Sequence, residues 1–468
     1  MPVVAVNFLI EKFMPSFTSS TLVALACVML GAPVAQAAVS AEEAARLKTT
    51  LTPLGGERAG NKDGSIPPWD GGYPVDASYK SASIPDLFGK DKPLITITPQ
   101  NAAQYADKLT DGSMGLLKKS PNFKIEVFPT RRTAAAPQWV YDNTFKNATR
   151  ATLNPNGEFG AFPRGAYGGI PFPIPKNGEE AVWNHLLRWS SPGYQTAPSL
   201  ARITPEGKAI LVSQNQSQSR FPYYDPESSL EKWEAAGSDV VVRRVNSSGP
   251  PLRAGEMLLQ RNKIDDAQSR TWVYLTGQRR VRRLPLTCCD VPSPVAGGIL
   301  NFDEVEVYAS SIGRYDWKLA GKREMYVPYN TNHYHQATSL DQVMGASNVN
   351  PDSMRFEQHR VWVVEGTLKK GQRHVVSRLR LYLDEDTWIA AAGERWDAQG
   401  QLWKVTYNLP TVMPSVPATM VLGYVSYDLI GGGYFGTAYL QRDRQVDFKA
   451  SLPDRIFTPE SLSGEGVR

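Results

Sequence analysis

The sequence predicts a mainly β protein of the α+β class, with a large curved antiparallel sheet or incomplete barrel, a few short helices and a long Pro/Gly-rich amino-terminal arm. Three observations predict it. The 38 glycines and 35 prolines among 468 residues exceed the ordinary share of about 12% and favour turns over long helices. Beyond about Lys208 the apolar residues recur with a period of two, the period of a strand. At least ten such segments follow one another without a long intervening helix, which suits an antiparallel sheet and not a parallel one.

A chain that is 41% hydrophobic and 21% charged is neither a disordered tail nor a multispan membrane protein. Its 51 Lys and Arg against 46 Asp and Glu leave +5 over the whole length, too thin a surplus for a nucleic-acid binder.

Residues Thr21 to Gly31 carry no charge, and Ala35, Gln36 and Ala37 form the small-x-small pattern that signal peptidase cuts. The run falls short of the roughly 20 apolar residues of a membrane helix. We therefore expect a signal peptide over 1–37, cleavage near Ala37 and a periplasmic mature chain, with outer-membrane association still open. Cys27 lies inside the apolar run, and Ala24 three places before it is a poor match to a lipidation motif. The remaining cysteines, Cys288 and Cys289, are adjacent and could close only a strained ring, so the core and not a disulfide framework must hold the fold.

From Leu51 to about Pro99, Pro53, Pro67, Pro68, Pro74, Pro85 and Pro93 forbid a long helix, while Trp69, Tyr73, Leu87 and Phe88 supply apolar anchors. The expectation is an ordered wrapping arm. Apolar spacing predicts short helices at Glu42–Leu51, Ala102–Lys119, Glu179–Trp189 and Ser228–Ala236. Strands are expected at Ala209–Gln214, Val240–Val245, Gly255–Arg261, Arg270–Thr276, Val305–Ser310 and Trp317–Val327. A four-stranded meander follows at Val361–Leu368, Arg373–Leu383, Trp388–Trp396 and Leu402–Leu409, then Val421–Leu429 and Thr437–Phe448. The organisation is then signal peptide 1–37, arm and helices 38–130, sheet 131–450 forming one domain with the arm, and tail 451–468.

Four segments in this order, LTPLGGERAGNKDGSIPPWDGG, TGQRRVRRLP, GRYDWKLAGKREMYVPYN and HRVWVVEGTLKKGQRHVVSRLRLYLDEDTW, resemble a family of exported Gram-negative proteins catalogued as a domain of unknown function. That family is related in fold to the lipoprotein-sorting factors LolA and LolB. The resemblance spans about Ala41 to Phe448. It implies transport of hydrophobic compounds beside an outer-membrane protein and a lipid-handling exporter, and it carries no established catalytic residues.

No constellation supports catalysis. The GxSxG pentapeptide of a nucleophile elbow is absent, and Gly431, Gly432, Gly433 and Gly436 lack dinucleotide spacing. His333 and His335, two apart, would share a strand face, and His359 or His374 could join them, yet no adjacent carboxylate completes a metal set. Asp384, Glu385 and Asp386 read as a solvated hairpin turn. No metal and no cofactor are expected.

Arg279, Arg280, Arg282 and Arg283 form a dense basic strand. They suit lipid phosphates or an acidic partner surface, or a network with Asp303, Glu304 and Glu306. Trp272, Tyr274, Trp317, Trp362, Trp388, Trp396, Trp403 and Tyr407 all fall in the expected sheet. Helices covering one face would leave a concave apolar face that calls for a lid or a ligand. The expected hydrophobic site is Trp272, Tyr274, Trp362, Leu379, Leu381, Trp388, Trp403 and Tyr407, with Leu379 and Leu381 on one surface. The resulting reading is a non-enzymatic carrier of a lipid or other hydrophobic compound. The alternative is a carbohydrate-binding protein or periplasmic hydrolase using the same aromatics.

Overall fold

The computed structural model describes residues 39–465 apart from 77, 80, 81, 285–289, 294, 442–444 and 449–451. The expected signal peptide with its cleavage pattern, Cys27, Cys288 and Cys289 lie outside the described residues. No described helix is long and apolar enough to cross a membrane.

The α-helices are α1 (Ala41–Ala45), α2 (Asp111–Lys119), α3 (Gln138–Arg150), α4 (Gly178–Leu186), α5 (Leu230–Ala235) and α6 (Pro459–Glu465). The strands are β1 (Ile95–Ile97), β2 (Ile125–Val127), β3 (Thr152–Asn154), β4 (Phe162–Arg164), β5 (Gly193–Thr196), β6 (Ser199–Ile203), β7 (Ala209–Arg220), β8 (Asp239–Gly249), β9 (Met257–Lys263), β10 (Arg270–Leu275) and β11 (Arg280–Leu284). They continue as β12 (Tyr315–Pro328), β13 (Phe356–Leu368), β14 (Arg378–Asp384), β15 (Ala390–Trp396), β16 (Leu402–Met413), β17 (Ala418–Asp428), β18 (Tyr434–Ala438) and β19 (Val446–Asp447).

One antiparallel path runs β12-β13-β14-β15-β16-β17-β18-β6-β7-β8-β9-β10-β11. Among the described residues β11 pairs only with β10 and β12 only with β13, so the sheet is large and not closed into a barrel. The β1–β2 ribbon joins β13 through a parallel bridge, Phe356 to Val127, which makes the sheet mixed at that one edge.

The expected meander is present as β13 to β16, with Val364 opposite Leu381 and Leu381 opposite Gly393. Alternate residues enter two clusters. Val364, Leu379, Leu381 and Leu383 pack with Ala181 and Val182 of α4 and with Leu54 of the arm. Val361, Val363, Tyr382, Val405 and Tyr407 pack with Leu116 and Leu117 of α2 on the other face. Helix α2 sits tightly against the sheet because Gly112 has no side chain. A Cβ there would meet Val405 Cγ2 at 2.5 Å.

Several local expectations are corrected. Ala102–Lys119 is not one helix: a 3-10 turn ends at Tyr105, and α2 starts after Thr110, whose side chain accepts from Ser113 N. Val305–Ser310 is not a strand, because Glu306 and Val307 take φ of 50° and 74°. Trp388 precedes β15 at φ 60°. Strand β7 extends six residues beyond Gln214 through the polar run to Arg220. Helix α3 was not expected, since its buried positions Val140, Thr144, Asn147 and Ala148 have helical spacing but are half polar.

Candidate ligand cavity

A cavity of about 810 Å³ lies against the half of the sheet built from β6 to β10 and β17. Its volume falls in the range of about 300–1,000 Å³ typical of small-molecule sites. One wall comes from Leu200, Ser213, Asn215, Val241, Arg243, Val245, Leu258, Val273, Leu275, Met420, Val421 and Tyr424. The register puts Val245, Leu258, Val273 and Arg282 in one cross-strand row. Leu275 stands opposite Arg280 on the same face. Val241, Val245, Leu258, Val273 and Leu275 are only half-buried, unlike the apolar residues of β14, where Leu379 and Leu381 are 1% and 0% exposed.

The other wall is aromatic. Trp183, Leu187, Trp189, Phe221, Tyr223, Tyr224 and Tyr308 line it, with Trp189 and Tyr224 rings 5.1 Å apart and Tyr223 and Tyr224 rings 4.9 Å apart, both edge-to-face. Their polar tips are tied to backbone. Trp183 Nε1 donates to Ala161 O at 2.8 Å, Trp189 Nε1 to Pro417 O at 2.8 Å, Tyr223 OH to Gly169 O at 2.7 Å and Tyr224 OH to Leu187 O at 2.5 Å. With those tips bonded, the rings offer the cavity mainly hydrocarbon.

Among the charged groups of the lining, which also include Arg253, Glu256, Lys263, Asp266 and Arg270, Arg188, Arg243 and Glu306 form one cluster. Arg188 pairs with Glu306 and donates to His185 O at 2.8 Å. Arg243 Nη2 stands 3.8 Å from Glu306 Oε1, while its Nε donates to Ser219 Oγ at 3.1 Å. Burial opposes the Arg243 charge, but Glu306 and the neighbouring tyrosines outweigh it and raise the pKa, so the guanidinium stays charged. Burial raises the Tyr194, Tyr424 and Tyr439 hydroxyl pKa values, keeping these groups neutral.

Of the apolar residues singled out from sequence, Tyr274 borders this cavity, but it is 1% exposed and packs on the face of β10 opposite Val273. Trp272 and Tyr274 belong to a cluster with Phe457 of the chain's end and Leu462 of α6. Leu379 and Leu381 do share a face, in the same cluster as Trp362, Trp388 and Trp403, whereas Tyr407 faces the other way. Trp388 Nε1 donates to Leu54 O at 2.8 Å, and the Trp362 ring lies near-parallel to it at 6.4 Å. Lys404 stands over the Trp403 ring at 4.2 Å, and Tyr407 OH bonds Ser113 Oγ at 2.7 Å.

Arg279, Arg280, Arg282 and Arg283 are all exposed on the β10–β11 hairpin, and Arg283 and Leu284 reach the cavity lining. No carboxylate pairs with them among the described residues. The acids considered as their partners are engaged elsewhere: Asp303 with His374 at 3.0 Å, Glu304 with Lys404 at 2.9 Å and Glu306 with Arg188.

The acidic turn is not solvated. Asp384, Glu385 and Asp386 are at most 2% exposed. Arg132 grips Asp386 bidentately at 2.8 and 2.6 Å, and Glu385 takes Arg360 and Lys322, both at 2.7 Å. His359 bonds Glu357 at 3.1 Å, lies 3.5 Å from Asp384 and stacks on Tyr329 at 3.8 Å. Burial opposes its protonation, but Asp384 and Glu357 prevail and raise it to about 9. His359, Asp384 and Asp386 bring ligand-type atoms within 4.8 Å of one another. Arg132 contacts both Asp386 oxygens, so these groups are joined in one buried ion network.

The other histidines do not converge. His333 and His335 lie on a 3-10 turn, Thr331–Gln336, and not on a strand. His333 is exposed beside Asp86, while His335 is buried against Thr411 and depressed by burial to about 3. His185, not considered from sequence, is buried between Trp388 O and Tyr308 O at 3.1 Å each and is likewise depressed to about 3, chiefly by burial.

Residues 96–463 match the family described as protein of unknown function DUF1329. The chain is 36% identical over 444 residues to the uncharacterized protein PA3922 of Pseudomonas aeruginosa, covering 92% of this chain and 95% of that one. Among solved structures, a DUF1329 family protein from Desulfovibrio piger aligns at 15% identity and TM-score 0.39, over 58% of this chain and 92% of that one. The LolA superfamily protein NE2245 from Nitrosomonas europaea aligns at 13% identity and TM-score 0.35, over 61% of this chain and 100% of that one. The long sequence match settles membership: the chain belongs to the DUF1329 family.

Proposed function

We propose that the protein is a non-enzymatic periplasmic carrier that takes a lipid or other hydrophobic molecule into the cavity beside β6 to β10. The observation that carries this reading is the half-buried apolar row Val245, Leu258 and Val273 facing tethered aromatic rings across about 810 Å³. Each methylene moved there from water gains about 0.8 kcal/mol, enough to hold an acyl chain without a covalent step. No histidine lines the cavity among the described residues, and of its carboxylates Glu306 pairs with Arg188 and Glu256 with Arg253, which favours binding over hydrolysis.

The exposed arginines of the β10–β11 hairpin lie at the end of the same apolar row. In this reading they meet lipid phosphates or an acidic partner surface during loading, through their planar donors. The charge-free run and small-x-small pattern near Ala37 support export. An outer-membrane protein and a lipid-handling exporter are the partners that complete the scheme. Organic extraction of the purified protein followed by mass spectrometry tests it: a near-stoichiometric apolar species is expected. An empty extract, together with no uptake of added fluorescent lipid, refutes the proposal.

A further inference from the structure

We propose that the cavity selects an anionic amphiphile, whose acidic group pairs with Arg243 beside the Arg188–Glu306 ion pair; this rests on the cavity being a ligand site. The charge balance carries it. Two guanidiniums share one carboxylate, and Arg188 holds that carboxylate directly. Arg243 is fixed by Ser219 through Nε and stands from Glu306 at 3.8 Å, beyond hydrogen-bond length. The other groups acting on Arg243 are the hydroxyls of Tyr194, Tyr439 and Tyr424, which burial keeps neutral. A guanidinium that keeps 27% of its side chain exposed and has its nearest carboxylate beyond hydrogen-bond length has donors free for an anion. A guanidinium presents its donors in the plane that a carboxylate or phosphate fits.

Backbone geometry gives an independent indication. Glu306 and Val307 both lie in the left-handed region, an outlier conformation for a β-branched residue. It is held by Asn408 Nδ2 donating to Glu306 O at 2.9 Å and by Arg395 donating to Val307 O. Such strain concentrates where a ligand clamp must be placed. Glu306 then has a selective role: it cancels the charge of Arg188, its direct partner, and leaves the adjacent Arg243 for an anion.

The tail subsite adjoins the head subsite. Arg243 and Val245 are two apart on β8 and share a face, and the row through Leu258 and Val273 continues from Val245.

The test uses four probes: pyrenedecanoic acid, its methyl ester, and pyrene-labelled phosphatidylglycerol and phosphatidylcholine presented in phosphatidylcholine vesicles. The anionic member of at least one pair should bind about tenfold tighter than its uncharged or zwitterionic counterpart, the scale of a charged hydrogen bond. Preference within the first pair alone assigns a free acid as the source of the anion, and preference within the second alone assigns a phospholipid. Arg243→Gln should abolish the preference, and Arg243→Lys should retain most of it. Glu306→Gln should move the opposite way and tighten the anionic probe; thermal melting of each variant reports that it is folded. Equal binding within both pairs overturns the anion subsite and leaves the cavity reading intact. Uptake of none of the four overturns both.

Discussion

Strands β13 to β16 and strands β7 to β10 are four-stranded antiparallel stretches of one sheet, yet only the first is packed solid on both faces. Leu379, Leu381 and Ala390 meet α4 and the arm, and Ala392, Val405 and Tyr407 meet α2. Along β7 to β10, one face carries Val242, Leu259 and Tyr274 against the end of the chain. The other borders the cavity with Val245, Leu258 and Val273. The comparison teaches that clean alternation marks a filled sheet. The hollow region is read from apolar residues that the fold leaves half-buried.

The largest expected contrast comes from placing a charge in each region. Leu381→Asp buries an unpaired carboxylate in a filled core and should destabilise by several kcal/mol, enough to prevent folding. Val273→Asp enters a space that admits water and should change the unfolding free energy by less than about 1 kcal/mol. Equal losses in denaturant titrations would erase the distinction.

The second prediction concerns the ion network of the filled region. The His359 pKa in the folded protein, about 9, lies above the ordinary 6.5, so the folded state holds the proton more tightly. The stability this contributes is complete below pH 6.5 and is lost as pH rises through 9. It should amount to about 3 kcal/mol, and His359→Gln should flatten that part of the pH profile of unfolding. A wild-type profile level across the window would contradict protonated His359.

The smallest effect on stability is expected at the arginine hairpin. Arg280→Ser with Arg282→Ser should change unfolding by less than about 0.5 kcal/mol, since both are exposed and unpaired among the described residues. Binding to anionic vesicles should weaken by about 1 kcal/mol per arginine and be lost in high salt. Vesicle cosedimentation unchanged by the double substitution would remove the hairpin from the loading surface.

What the sequence made legible follows from the same contrast. The meander could be read because Leu379, Leu381 and Leu383 repeat at period two and turn residues separate the strands. Strand β7 was cut short because Gln214 to Arg220 is polar throughout, with pairing from both neighbours in place of an apolar face. Helix α3 escaped because Thr144 and Asn147 occupy its buried stripe and bond loop backbone, Asn147 Nδ2 reaching Gly169 O at 3.1 Å. The charged cluster could not be read locally at all: Arg188, Arg243 and Glu306 come from three distant segments, and only the fold joins them. The basic hairpin was visible as a run, while its lack of internal acids required seeing Asp303, Glu304 and Glu306 engaged elsewhere.

The most direct test of the hollow region is to fill it. Val273→Trp places a large ring in the middle of the Val245, Leu258 and Arg282 row, and uptake of a pyrene-labelled lipid by wild type and variant is measured beside thermal unfolding. Wild type should take up the probe, and the variant should lose it at least tenfold with melting nearly unchanged. A wild type that takes up none, or a folded variant that takes up as much as wild type, would contradict the carrier reading.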